Sequence, residues 1–163
     1  MQVFADICKY LHKSLVKIQS AQVSVLNLCE QENPYMSHTP IIPIGSAPPL
    51  APYSPGVRAG NNIYVSGMLA IDKDGKSVGV GDITTQTRHV LESIKAVVEA
   101  GGASMGDIAY NAIILKDLAD YAAMNKVYAE YFPINPPARY CIRADLVKPE
   151  FLVEITSVAY LGS

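Results

Sequence analysis

The sequence predicts an α+β layer sandwich, in which two helices pack on one face of a mostly antiparallel or mixed sheet. Two observations point there. Short runs rich in β-branched and aromatic residues alternate with two segments of helical periodicity, in the order two or three strands, helix, strand, helix, strand, strand. The chain has 163 residues, half of them hydrophobic, and a formal charge of only −2, which suits one compact domain. Helices placed on one face leave the other sheet face bare, and in a half-apolar chain that face calls for a second subunit.

Residues 1–35 stand apart from this pattern. Phe4, Ile7, Leu11, Leu15 and Ile18 recur at helical spacing with Lys9, Lys13 and Lys17 on another face, which allows an amphipathic helix. The stretch is too polar to span a bilayer and lacks the marks of a signal or transit peptide. It is expected to be an extension or tail outside a domain covering 36–163, with a partner-binding or membrane-surface helix as the alternative. Prolines at 34, 40, 43, 48, 49, 52 and 55 then exclude helix and predict an extended path over the surface, with the compact part starting near Ile41.

From Asn62, NIYVSG and MLAID form two strand-like runs around Gly67, and DKDG at 72–75 is a turn closing a hairpin or meander. Ile83, Thr87, Val90, Leu91, Ile94, Val97 and Val98 make one helical stripe, capped by Asp82 or Thr84 and ended by Gly101-Gly102. Ile108 to Leu115 is a strand. A second helix is expected from about Leu118 to Tyr131, with Leu118, Tyr121, Ala122, Tyr128 and Phe132 on its apolar face and Pro133 stopping it. The last two runs, 138–146 and 151–160, flank VKPE and are expected to pair as an antiparallel hairpin.

That hairpin carries the polar residues of interest. If Leu146 pairs with Phe151, then Arg143 faces Glu154, Cys141 faces Thr156 and Arg139 faces Val158 on one side, while Ala138, Tyr140, Ile142, Ala144 and Leu146 fill the core side. Arg143 reads as an ordinary cross-strand partner of Glu154. Arg139, at the mouth of its strand with no acid opposite, is free to fork a carboxylate in a way that Lys cannot copy. Glu154 has apolar flanks that should raise its pKa toward a general-base value, so catalysis and ion pairing are both open for it. Cys141 is a buried small side chain or, beside a guanidinium, an activated thiol. Asn125 points to the packed side of its helix, where it bonds a loop backbone or a ligand. Tyr53 and the Ser66-Gly67 pair are weak signals alone.

Taken in order, PYSPG at 52–56, YVSG at 64–67, KDLADYAAMN at 116–125, PPARYCIRADLVKP at 136–149 and VEITSVA at 153–159 resemble the RidA family, also called YjgF. The similarity covers about residues 41–161. It is strongest to the RutC branch, through SAPPLAPYSPG, SGMLAID, QTRHVLESI, NKVYAEYFP and LVKPEFLVEI. The resemblance implies a chorismate-mutase-like fold, a homotrimer with its sites in clefts between subunits, and hydrolysis of an enamine or imine. For the RutC branch that means 3-aminoacrylate going to malonic semialdehyde and ammonia in pyrimidine breakdown. For typical RidA proteins the substrate is 2-aminoacrylate or its imine, and Met68 stands where those proteins usually have Gln. By the same resemblance Arg139 holds the substrate carboxylate, Glu154 positions the attacking water, and Tyr53, Ser66, Gly67, Asn125 and Cys141 line the pocket. No metal or organic cofactor is implied, because an imine is already a good electrophile. A cleft that binds without turnover would instead make a small-carboxylate-binding or chaperone-like protein.

Composition narrows the other classes. With 13 Lys and Arg against 15 Asp and Glu and no basic block, a nucleic-acid backbone is a poor partner. Three cysteines at 8, 29 and 141 without repeated spacing fit reduced thiols in a cytosol, and the scattered His12, His38 and His89 form no metal-ligand pattern.

Overall fold

The computed structural model describes residues 37–162. The N-terminal stretch, whose spacing allows an amphipathic helix, lies outside them. Six strands and two helices follow in the order β1 (Thr39–Ile41), β2 (Gly56–Ala59), β3 (Asn62–Met68), α1 (Ile83–Ala100), β4 (Ile108–Leu115), α2 (Tyr121–Tyr131), β5 (Ala138–Arg143) and β6 (Val153–Tyr160). Short 3₁₀ turns at Met105–Asp107 and Leu118–Asp120 lead into β4 and α2. The sheet order is β1-β2-β3-β6-β4-β5, and both helices lie on one face of it. Among the described residues no helix is long and apolar enough to cross a membrane.

The first helix forms as its stripe predicts. Ile83, Thr87, Val90, Leu91, Ile94, Val97 and Val98 are all buried, and the Asp82 carboxylate accepts from the Thr84 and Thr85 amides at 2.9 and 3.2 Å. The chain leaves the helix through Gly101 and Gly102, the latter at φ +87°, which a side chain would resist. Asp72 closes the expected turn by accepting from the amides of Asp74 and Lys76, and a single bridge joins Ile71 to Ser77. Gln86, fully buried, staples α1 to the loops around it: its amide donates to the Gly79 and Glu150 carbonyls and accepts from the Leu152 N–H.

The second helix differs in phase from expectation. Its packed face is Met124, Val127 and Tyr128, continued by Phe132, whereas Leu118 and Tyr121 are 52% and 44% exposed. Leu118 belongs to the 3₁₀ turn, whose tighter winding shifts the stripe that an unbroken helix would have carried.

The largest departure is at the end of the chain. β5 and β6 are not a hairpin. β4 lies between them, antiparallel to β6 and parallel to β5, so β4-α2-β5 is a crossover unit. The Lys-Pro segment carries the chain across rather than around: the Lys116 side chain holds the Pro149 carbonyl and the Ala144 N–H donates to Leu115. The faces invert as a result. Arg139, Cys141 and Arg143 align with Asn111, Ile113 and Leu115 on the helix-covered face, while Tyr140 and Ile142, expected in the core, are 46% and 47% exposed on the open one.

Candidate active site

The residues singled out in the sequence fall into two groups. The first gathers around a break in β3. Pairing with β6 runs Val65↔Ser157 and then Met68↔Ile155, so β3 carries one extra residue there, a bulge at Ser66-Gly67. The Ser66 amide donates to the Pro55 carbonyl at 3.0 Å and its hydroxyl to the Ser54 carbonyl at 2.7 Å, which pins the segment bearing Tyr53 against the strand. Glu154 reaches over the bulge from β6. A Cβ on Gly67 would stand 1.9 Å from Glu154 Oε1, so this position admits only glycine if the carboxylate is to keep its place.

Tyr53, Ser66, Gly67 and Glu154, with Leu50 and Lys148, line a cavity of about 470 Å³. Glu154 is half-buried and, among the described residues, has no side-chain hydrogen-bond or ion-pair partner; burial alone pushes its carboxyl above the usual glutamate value. The expected pairing with Arg143 does not occur, because the two side chains leave opposite faces of the sheet.

The second group sits where β5 meets α2. Arg139 Nη2 donates to Asn125 Oδ1 at 2.5 Å, so Asn125 bonds a guanidinium rather than the loop backbone. The guanidinium carbon lies 4.5 Å from the centre of the Tyr128 ring and 5.9 Å from that of Tyr121. Arg139 Nη1 is buried with no partner among the described residues. Cys141 is on the same face, partly buried, and burial raises its thiol pKa against the opposing pull of the Arg139 charge, which fits a small packing side chain better than a nucleophile.

The sequence reading missed two residues behind Arg139, and the bond that the buried Tyr128 makes to one of them. Asn111 and Ser157 are fully buried cross-strand neighbours, and Ser157 Oγ donates to Asn111 Oδ1 at 2.5 Å while Asn111 Nδ2 donates to the Tyr128 hydroxyl at 2.7 Å. Burial pushes the Tyr128 phenol up, with the Asn111 bond and the Arg139 charge opposing. The signal was present as a lone Asn in IAYNAIIL and a lone Ser in VEITSVAY.

The sheet itself separates the two groups. In register, Glu154 stands beside Ile114 and then Ile142, while Arg139 stands beside Asn111, three residues back along β5. Two strand spacings and three residue rises put their Cα atoms roughly 14 Å apart, with the side chains leaving opposite faces. Arg139 does not line the cavity that holds Glu154.

Comparison with known proteins matches this arrangement to one family. The model of the family described as Endoribonuclease L-PSP matches residues 44–161. The chain is 54% identical over 121 residues to the 3-aminoacrylate deaminase RutC of Acinetobacter baylyi, an alignment covering 74% of this chain and 96% of that protein. Among solved structures it is similar to a putative endoribonuclease of Thermotoga maritima (30% identity, TM-score 0.72, 77% of this chain and 98% of that one). It is similar as well to E. coli TdcF, solved with bound serine (29%, 0.70, 76% and 99%), and to the E. coli YjgF gene product (30%, 0.69, 75% and 98%). The chain therefore belongs to the Endoribonuclease L-PSP family, that of the RidA/YjgF proteins, and within it to the RutC branch.

Proposed function

We propose that the chain is an enamine/imine deaminase that hydrolyses 3-aminoacrylate to malonic semialdehyde and ammonia, in a site completed by a neighbouring copy of the same chain. The observation that carries this is Arg139: a partly buried guanidinium with Nη2 bonded to Asn125 and Nη1 without an acceptor among the described residues is short of one, and a carboxylate would supply it.

The half-sites divide the chemistry. Arg139 of one copy holds the substrate carboxylate, and Glu154 of the next faces the reacting carbons. A proton added to the α-carbon converts H₂N–CH=CH–COO⁻ to the iminium H₂N⁺=CH–CH₂–COO⁻. A carboxyl whose pKa burial has raised is suited to deliver that proton and, once ionised, to orient a water and take a proton from it as the oxygen attacks the iminium carbon. The carbinolamine then collapses, its nitrogen leaving as ammonia and its oxygen becoming the aldehyde. The Gly67 carbonyl would hold the nitrogen, with Tyr53 and Ser66 lining the same cavity. The sum is 3-aminoacrylate plus water plus a proton giving malonic semialdehyde plus ammonium. The 54% identity to a protein named for this reaction supports the choice of substrate.

A homotrimer is the assembly we infer. The open sheet face supports it: Tyr64, Tyr110, Tyr140, Ile142 and Tyr160 are each between 38% and 50% exposed there, an apolar surface that a subunit contact would cover. With a net charge of −2 and no basic block, the chain has little to offer an RNA backbone despite the family's name.

The test is single-site. Ammonia release is followed from freshly generated 3-aminoacrylate and 2-aminoacrylate with wild type, Arg139→Ala and Glu154→Gln. Faster release from the 3-isomer, lost in both variants, is the expected result. Unchanged rates in both variants would overturn the site, and acceleration confined to the 2-isomer would move the protein to the other substrate class.

A further inference from the structure

Arg139 lies at the end of a polar chain that starts in the middle of the sheet. Asn111 and Ser157 occupy 0% exposed positions on the helix-covered side of β4 and β6, where their neighbours are Ile113, Ile155 and Ala159. Polar side chains in such a place are tolerated only when bonded, and apolar residues of similar shape would serve the core as well. These are bonded in one direction. Ser157 orients the Asn111 amide, and the Asn111 amide fixes the Tyr128 hydroxyl. With its hydroxyl tethered and its ring stacked on Phe132 at 4.6 Å between centroids, the Tyr128 ring has one orientation, and the Arg139 guanidinium lies against it. Asn125 takes Nη2 at the same time, so the bond to Asn125 and the ring contact together hold the guanidinium, while the buried Nη1 has no acceptor among the described residues.

We propose that Tyr128, tethered through Asn111 to Ser157, is a positioning residue that holds the Arg139 guanidinium in place for the substrate carboxylate. The proposal rests on Arg139 being the carboxylate anchor. A long cationic side chain loses rotamer freedom when it binds, and fixing it beforehand removes that cost from substrate binding. The carboxylate does not change charge during the reaction, so its anchor acts equally on ground and transition states. The tether is accordingly felt in KM and not in kcat.

The experiment compares 3-aminoacrylate with its methyl ester, which presents the same enamine without the charge, in full-length wild type, Tyr128→Met, Tyr128→Phe and Arg139→Ala. Methionine fills the space without a ring. Tyr128→Met should raise KM for the acid about tenfold with kcat held within about twofold, and leave KM for the ester unchanged. Tyr128→Phe, which keeps the ring but loses the tether, should raise the acid KM by an intermediate amount, about threefold. Equal losses on acid and ester, or a fall in kcat at constant KM, would overturn the proposal. If Tyr128→Met does not assemble as wild type does, Asn111→Leu decides: it should raise KM for the acid alone, and an unchanged acid KM would overturn the tether. Arg139→Ala separates the two levels. If it leaves the acid KM unaltered, the anchor itself is wrong; if it raises the acid KM while Tyr128→Met does not, only the positioning role falls.

Discussion

Because Arg139 and Glu154 leave opposite faces of one sheet, two defective chains should repair each other. Arg139→Ala and Glu154→Gln are co-expressed with different tags, and assemblies carrying both tags are isolated by two affinity steps. In a ring of three that contains both variants, one junction pairs a wild-type Arg139 with a wild-type Glu154, one pairs the two defects, and one joins like chains. Mixed rings should therefore turn over at about a third of the wild-type rate per trimer with KM unchanged, while a twofold assembly would give about a half. Within one chain the two side chains leave opposite faces of the sheet and Arg139 does not line the Glu154 cavity, so repair is expected only across a junction between copies. The assay is ammonia release from 3-aminoacrylate, beside homogeneous preparations of each parent. Activity of the mixed assemblies no greater than the sum of the parents would refute the shared site.

Two further predictions concern Glu154. Gly67→Ala places a methyl group 1.9 Å from Oε1, so the carboxylate must swing away; kcat should fall toward that of Glu154→Gln, by about a hundredfold, while melting stays near wild type because only a flexible side-chain end moves. Wild-type kcat in Gly67→Ala would show that the position of the carboxylate does not matter. The second is a stability measurement on Glu154→Gln across pH. The folded carboxyl binds its proton more tightly than the unfolded one, so its contribution is fully present below the ordinary value of 4.5 and is lost as pH rises through the raised folded value. The variant should thus match wild type in acid and be the more stable protein at neutral pH, as read by urea denaturation; a variant less stable than wild type at pH 7 would contradict the assignment.

Much of the fold was legible where local chemistry decides it. The stripe from Ile83 to Val98, the Asp82 cap and the Gly101-Gly102 exit specify α1 within a few residues of its observed ends. The pairing of the last strands was not legible in the same way, because two strand-like runs around a Lys-Pro turn fit a hairpin or a crossing equally well. What would have separated them is the order of β4, α2 and β5: a strand, a helix and a strand joined by short loops form a parallel unit, and that unit takes the place beside β4 that a hairpin would need. The candidate residues themselves were found, but their grouping was not. Arg139 and Asn125 are brought together by α2 folding back on β5, and Glu154 and Gly67 by a bulge, neither of which has a spacing in the sequence to announce it.

The inversion of β5 ties these errors to the function. Alternation in ARYCIR sets Arg139, Cys141 and Arg143 against Tyr140 and Ile142, and the ordinary inference sends the apolar set inward. Here the apolar set faces outward, with Tyr110 and Tyr140 rings 6.2 Å apart on the open face, and the arginine face lies toward α2. Alternation reports that one side of a strand is to be buried; it does not say by which chain. If a second copy covers the open face, the apolar residues are buried by assembly, and the proposed shared site requires that copy to bring its Arg139 beside a cavity that holds Glu154 but no arginine of its own. On that account the pattern that misled the sequence reading and the division of the site between chains have one cause, a sheet whose second layer is another subunit.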